Sequence, residues 1–207
     1  MPNDTSRHLI STDWLAERLG ERDLVVVDGS WYLPAMNRDG FKEYQGAHIP
    51  GAVYFDIDEI SDHGAGLPHM LPPPDAFALH MRRLGIGDGM KIAVYDGAGL
   101  FSAPRVWWTF RVFGAKDVFI LEGGFPKWRA EGRPIEAGMT SRPAARFTPR
   151  LDQAWPISTV SKRRLPWEPR KWSTFVQLRA SAAKRRNRVQ ACDRATCPAA
   201  ATCRRRN

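Results

Sequence analysis

The stretch best placed to do chemistry is Asp96-Gly97-Ala98-Gly99-Leu100-Phe101-Ser102. It follows a short apolar run, Lys91 to Tyr95, and precedes Ala103, Val106, Trp107, Phe110 and Phe113, which recur at helical spacing. In open α/β sheets, ligands sit beyond the carboxyl ends of the strands, where such a loop lies. Asp96 opens the loop with an acid. Ser102 is a candidate N-cap, and Pro104 suits a first helical turn. Gly97 and Gly99, with Glu122 about 20 residues on, invite comparison with a dinucleotide loop. That reading fails on three counts: the third glycine is Ser102, Asp96 would set a negative charge beside the phosphates, and the unit is not first in its sheet.

A second group with chemical potential is Cys192, Cys197 and Cys203. Three thiols at irregular spacing, with no neighbouring histidine, do not define a zinc site. Arginine-rich runs in the same region (Lys184 to Arg186, Arg204 to Arg206) could bind nucleic acid electrostatically. Accidental charge is the favoured reading, and no metal, cofactor or nucleic acid is expected as a partner. His48, in His-Ile-Pro-Gly, reads as a turn-fixing residue, and Trp107 and Trp108 read as packing. Arg105 either faces a cleft or pairs with an acid, and is read as structural.

Elements must hold the central loop in place. Ser11 or Thr12 can cap a helix through Trp14, Leu15 and Leu19, closed by Gly20. Leu24-Val-Val-Val-Asp28 is a β-branched strand. A helix capped by Asp39 and stopped by Gly46 follows, then a turn at His48 to Gly51 and a strand over Ala52 to Phe55. Residues 63–74 form a loop too long for a plain connector. Pro74 to Leu84 is a helix with Phe77, Met81 and Leu84 on one face and Gly85 behind it. After the central unit comes a strand over Asp117 to Leu121, and a last helix fades at Glu131-Gly132. Arg133 to Arg150 reads as a Pro- and Arg-rich linker. Strands alternating with helices, without hairpin signals, predict a mostly parallel sheet covered on both faces.

Charge divides the chain. Residues 1–151 hold 17 Lys+Arg against 19 Asp+Glu, a net −2, whereas residues 152–207 hold 14 against 3, a net +11. All three cysteines lie in the second part, so no disulfide holds the first part and it offers no thiol chemistry. The amino terminus lacks an apolar core of signal-peptide type, and no run approaches membrane-spanning length. The expectation is a soluble, cytoplasmic protein without a membrane partner.

Six motifs in order carry a family resemblance: Val27 to Pro34, His48 to Ala52, Phe55-Asp-Ile-Asp58, His69-Met-Leu-Pro72, Ser102 to Trp108, and Leu121 to Trp128. The chain over about residues 9–154 resembles the amino-terminal, non-catalytic half of a two-domain rhodanese-type sulfurtransferase, nearer the 3-mercaptopyruvate than the thiosulfate type. The resemblance implies a rhodanese-like α/β fold. The family reaction is transfer of sulfur from 3-mercaptopyruvate or thiosulfate to cyanide or a thiol through a cysteine persulfide. The nucleophilic cysteine belongs to the other domain, where backbone amides at a helix start favour the thiolate. Here Asp96 occupies the corresponding place, and a carboxylate cannot carry a persulfide. In mercaptopyruvate-type members an Asp and a His of this domain are implied to form a charge relay with a serine of the catalytic domain, and by motif they are Asp58 and His69. The plainer alternative is an Asp capping a turn and a His capping a carbonyl.

The resemblance stops at Trp155. The expected organisation is a rhodanese-like domain over 1–140, an interdomain linker over 141–154 and a basic tail over 155–207. Ala180 to Asn207 has almost no large aliphatic residue, so disorder is expected there. Lost likeness, lost periodicity and a charge jump coincide, which predicts a reading-frame change near codon 154. The chain alone is expected to be inactive, with an exposed face where a partner domain would pack.

Overall fold

A computed structural model describes residues 8–64 and 66–151. The predicted tail, its cysteines and its arginine runs lie outside these residues. Five parallel strands form one sheet: β1 (Leu9–Ile10), β2 (Leu24–Asp28), β3 (Val53–Tyr54), β4 (Lys91–Tyr95) and β5 (Val118–Leu121), in the order β1-β5-β4-β2-β3. Val26 pairs with Ala93, and Ile92 with Val118, so the two longest strands lie side by side at the centre. The helices are α1 (Thr12–Arg18), α2 (Gly40–Gly46), α3 (Pro74–Leu84), α4 (Ala103–Val112) and α5 (Gly124–Ala130), with a 3-10 turn at Pro34–Met36.

Every residue of β2 is buried, as a strand covered on both faces requires. Strand alternation sorts them. Val25 and Val27 meet Phe77 and Met81 of α3 and Val106 and Phe110 of α4. Leu24 and Val26 meet Leu15 of α1, Tyr44 of α2 and Trp128 of α5. Phe77 and Phe113 stack with ring centroids 4.1 Å apart. Among the described residues, no helix is long and apolar enough to cross a membrane.

Three helix ends follow the sequence signals. Ser11 Oγ accepts from Trp14 N, Asp39 accepts from Lys42 N, and Gly85 closes α3 in the left-handed conformation. The start of α4 does not. Ser102 stands at the cap position but makes no side-chain cap bond, because its hydroxyl turns to the loop after β2.

The stretch read as a linker runs back over the domain body. Glu136 bridges to His48, Asp88 N donates to Arg146 O, Phe147 is buried in the core, and Arg150 N donates to Phe113 O. The last of these contacts needs glycine: Gly114 has φ +91°, and a Cβ there would lie 2.5 Å from Arg150 O.

Candidate functional site

β2 and β4 end side by side at Asp28 and Tyr95, and the loops leaving them build the site. The loop after β4 curls around its own first side chain. Asp96 Oδ1 accepts from the amides of Ala98 (2.9 Å) and Gly99 (2.7 Å). Oδ2 accepts from Phe101 (2.6 Å), Ser102 (2.9 Å) and Ala103 (2.9 Å). Five backbone N–H groups at the start of α4 thus converge on one buried carboxylate. Such an arrangement is an anion cradle, and here the chain fills it with its own acid. That removes the space a nucleotide phosphate would need and fits the rejection of a dinucleotide loop.

Beside it lies Asp28, 3% exposed, whose Oδ1 accepts from Ser30 N at 2.9 Å and Ser30 Oγ at 2.5 Å. Burial pushes its carboxyl up to about 6, against the opposing effect of the Ser30 hydrogen bonds. Ser30 Oγ also accepts from Gly97 N at 2.9 Å, so one hydroxyl joins the β2 and β4 loops.

Asp58 and His69 are brought together. His69 Nε2 lies 2.7 Å from Asp58 Oδ1, with both side chains reached by solvent. The other carboxylate oxygen, Oδ2, accepts from the Trp31 indole N–H at 3.0 Å. Asp56 Oδ1 accepts from the amides of Asp58 and Glu59, which fixes the turn below the pair. His69 has φ 58°, a left-handed conformation uncommon for a side chain of its size. Its carbonyl accepts from Arg105 Nη2, and its ring meets the Trp31 indole edge-on at 4.9 Å. Phe101 stacks on the far side of Trp31 at 6.4 Å.

Arg105 therefore pairs with no acid. Its guanidinium lies over the Trp108 ring at 4.7 Å, and burial lowers its pKa. Trp31 and Arg105 were not legible as partners of the pair, because both contacts join loops far apart in the chain. An indole N–H in a surface loop does require an acceptor, and the acids of Asp56-Ile-Asp58 are the nearest by motif order. His48 is fully buried, with Nδ1 at 2.8 Å from Tyr44 O and Nε2 at 3.3 Å from Thr140 Oγ1; it ties α2 to the returning strap. Trp107 donates its indole N–H to Val118 O and packs on the core.

Known proteins share this architecture. Residues 11–131 match the family described as Rhodanese-like domain. Thiosulfate/3-mercaptopyruvate sulfurtransferase 1, mitochondrial, of Arabidopsis thaliana is 52% identical over 133 residues, covering 64% of this chain and 35% of its own length. The 3-mercaptopyruvate sulfurtransferase of Escherichia coli K12 is 42% identical over 139 residues, covering 67% of this chain and 50% of its own. The crystal structure of SseA from Escherichia coli, a 3-mercaptopyruvate sulfotransferase with the rhodanese fold, superposes with a TM-score of 0.67 at 41% identity, over 70% of this chain and 55% of that one. The chain spans about half or less of the length of these curated relatives. The matched span is the one that carries the parallel sheet and the β4–α4 loop, and on that evidence the chain belongs to the rhodanese-like domain family.

Proposed function

We propose that this domain serves a 3-mercaptopyruvate-type sulfurtransferase as its non-nucleophilic half, and that its contribution is the Asp58–His69 pair. The observation that carries this reading is the self-filled cradle: Asp96 occupies with five hydrogen bonds the place where a sulfur-carrying thiolate would be held. A carboxylate there is neither a sulfur nucleophile nor displaceable by a dilute anionic donor. The persulfide must form on a cysteine from another domain. In that reaction a thiolate attacks the donor sulfur and the carbon–sulfur bond breaks. The electron pair stays on carbon as an enolate, and the carbon takes up a proton to give pyruvate. The persulfide sulfur then passes to cyanide or a thiol. An imidazole oriented by a carboxylate is suited to the proton movement this requires.

The test is a turnover assay of the purified chain with 3-mercaptopyruvate and cyanide. The expected result is no rate above the buffer blank. Turnover that disappears in His69→Ala would overturn the reading, because this chain would then contain its own nucleophile.

Exposed apolar side chains favour a second reading, docking of a partner. Leu67 and Met70 flank His69 in sequence, and Leu100 and Phe101 flank the cradle; they are 64%, 43%, 57% and 48% exposed. Surfaces of this kind pack against another protein body. Concentration-dependent association on sizing, lost on Leu100→Ser with Phe101→Ser, supports this reading; a monomer at all concentrations opposes it.

A further inference from the structure

We propose that the Asp96 loop and the first turn of α4 act as a positioning platform for the Asp58–His69 pair, fixing which imidazole nitrogen is free to exchange a proton. The inference rests on the reading that this pair moves a proton, and it assigns positioning roles to Asp96, Ser102, Trp31 and Arg105.

The argument follows the hydrogen bonds outward from the cradle. Asp96 Oδ2 holds the amides of Phe101, Ser102 and Ala103. Ser102 is thereby fixed in a conformation that sends its hydroxyl away from α4. That hydroxyl donates to Gly29 O at 2.7 Å and accepts from Trp31 N at 3.1 Å, so it ties down the backbone on which Trp31 stands. Phe101, held by the same carboxylate oxygen, covers one face of the Trp31 indole. The indole, fixed at its backbone and at its ring, delivers its N–H to Asp58 Oδ2. Asp58 is left with Oδ1 for His69 Nε2.

The histidine is held from its other end by the same helix. Arg105, three residues beyond Ser102, reaches the His69 carbonyl with Nη2. A left-handed backbone at a residue with a ring is kept only where its surroundings over-determine it. Here they do so through the Arg105 donor, the Trp31 ring edge and the Asp58 carboxylate. Both members of the pair therefore depend on residues 96–105, one through Trp31 and one through Arg105.

The chemical consequence concerns the tautomer. An ionised Asp58 only accepts, so the Nε2 that faces it carries the hydrogen in neutral His69. Nδ1 then holds the free lone pair, and it is the nitrogen from which a proton is taken up or released. A loosely held carboxylate would not enforce that choice, since neutral imidazole otherwise populates both tautomers. The Asp96 cradle thus keeps a task after losing its own nucleophile: it orients an acid–base group in the neighbouring loop.

The experiment is side-chain ¹⁵N NMR of the full chain, with His69 signals assigned by their loss in His69→Gln. The wild type is expected to show the Nε2–H tautomer alone. Trp31→Phe keeps the ring and removes the donor, Ser102→Ala cuts the tie to Trp31, and Arg105→Gln releases the His69 carbonyl. Each is expected to lose the single-tautomer pattern, whereas Arg38→Gln, which breaks a contact with Glu43 elsewhere, keeps it. An Nδ1–H tautomer in the wild type, or an unchanged pattern in all three variants, would overturn the proposal. Should Ser102→Ala fail to fold, Trp31→Phe and Arg105→Gln still decide. The tautomer is read without turnover, so a failed sulfurtransferase assay and a failed positioning role give different results.

Discussion

Asp96 Oδ2 and the Ala103 amide lie 2.9 Å apart, across seven residues of sequence, and this contact seats a carboxylate on the first turn of α4. The same five amides would surround a smaller anion at that position. Asp96→Cys is therefore expected to give a thiol with strong thiolate character, since helix-start amides lower thiol pKa values by one to several units. In a background with Cys192, Cys197 and Cys203 replaced by serine, alkylation by iodoacetamide at pH 7 should be about tenfold faster than for free cysteine, whose thiol is mostly protonated there. A rate no faster than free cysteine would show that the cradle does not favour an anion once its own carboxylate is gone.

The pair at Asp58 and His69 predicts a division between rate and binding. In a chimaera joining residues 1–154 to the cysteine-bearing domain of a relative, His69→Ala should lower kcat by about 10²-fold or more, the range expected for loss of a positioned acid–base group. Asp58→Asn should lower it less, with KM little changed, because it orients the ring rather than the substrate. Steady-state kinetics with 3-mercaptopyruvate decides: an equal rise in KM with constant kcat would assign the pair to binding.

Much of this framework was legible in the sequence, for identifiable reasons. β2 and β4 are apolar runs bounded by acids and turns, and Ser11, Asp39 and Gly85 mark helix ends by local chemistry. β1 was not legible: two residues show no period, and Leu9 and Ile10 are a strand only because Ile120 and Leu121 lie beside them. The hydroxyl of Ser102 followed long-range partners rather than the helix it precedes, since Asp96 already satisfies the first amides of α4. Asp58 and His69 could be singled out through family motifs alone, because no rule of spacing predicts that two exposed loops meet. The Arg133 to Arg150 stretch lacks periodicity and so read as a connector; its contacts are backbone bonds and one buried Phe147, which leave no repeating trace.

Asp28 predicts a pH dependence of stability. Its folded-state pKa, raised to about 6 by burial, exceeds the unfolded value near 3.8. Between these values the folded state keeps a proton that the unfolded state releases. The group's contribution is thus fully present below about pH 4 and is lost as pH rises through 6, by about 3 kcal/mol at 1.36 kcal/mol per unit. Urea unfolding of the wild type and Asp28→Asn between pH 4 and 7 tests this. The wild type should lose stability relative to the variant across that window. Parallel curves would mean that Asp28 stays ionised in the folded state.

Gly20 and Gly114 supply a matched pair for testing the returning strap. Both have φ +91°, so alanine at either carries the same left-handed penalty, on the order of 1 kcal/mol. Their surroundings differ. A Cβ on Gly20 meets nothing within 4 Å, whereas one on Gly114 would lie 2.5 Å from Arg150 O and 3.1 Å from Arg150 Cβ. Backbone must move to accept it, at an added cost of about 1–3 kcal/mol. Gly114→Ala should therefore destabilise the fold more than Gly20→Ala by that difference, read as the gap between their urea midpoints at a common slope. The excess measures how firmly Arg150 is held against the end of α4, through its amide bond to Phe113 O. Equal losses in the two variants would mean that the strap yields without cost. Residues 141–151 would then behave as a connector, despite the contacts they make with the domain.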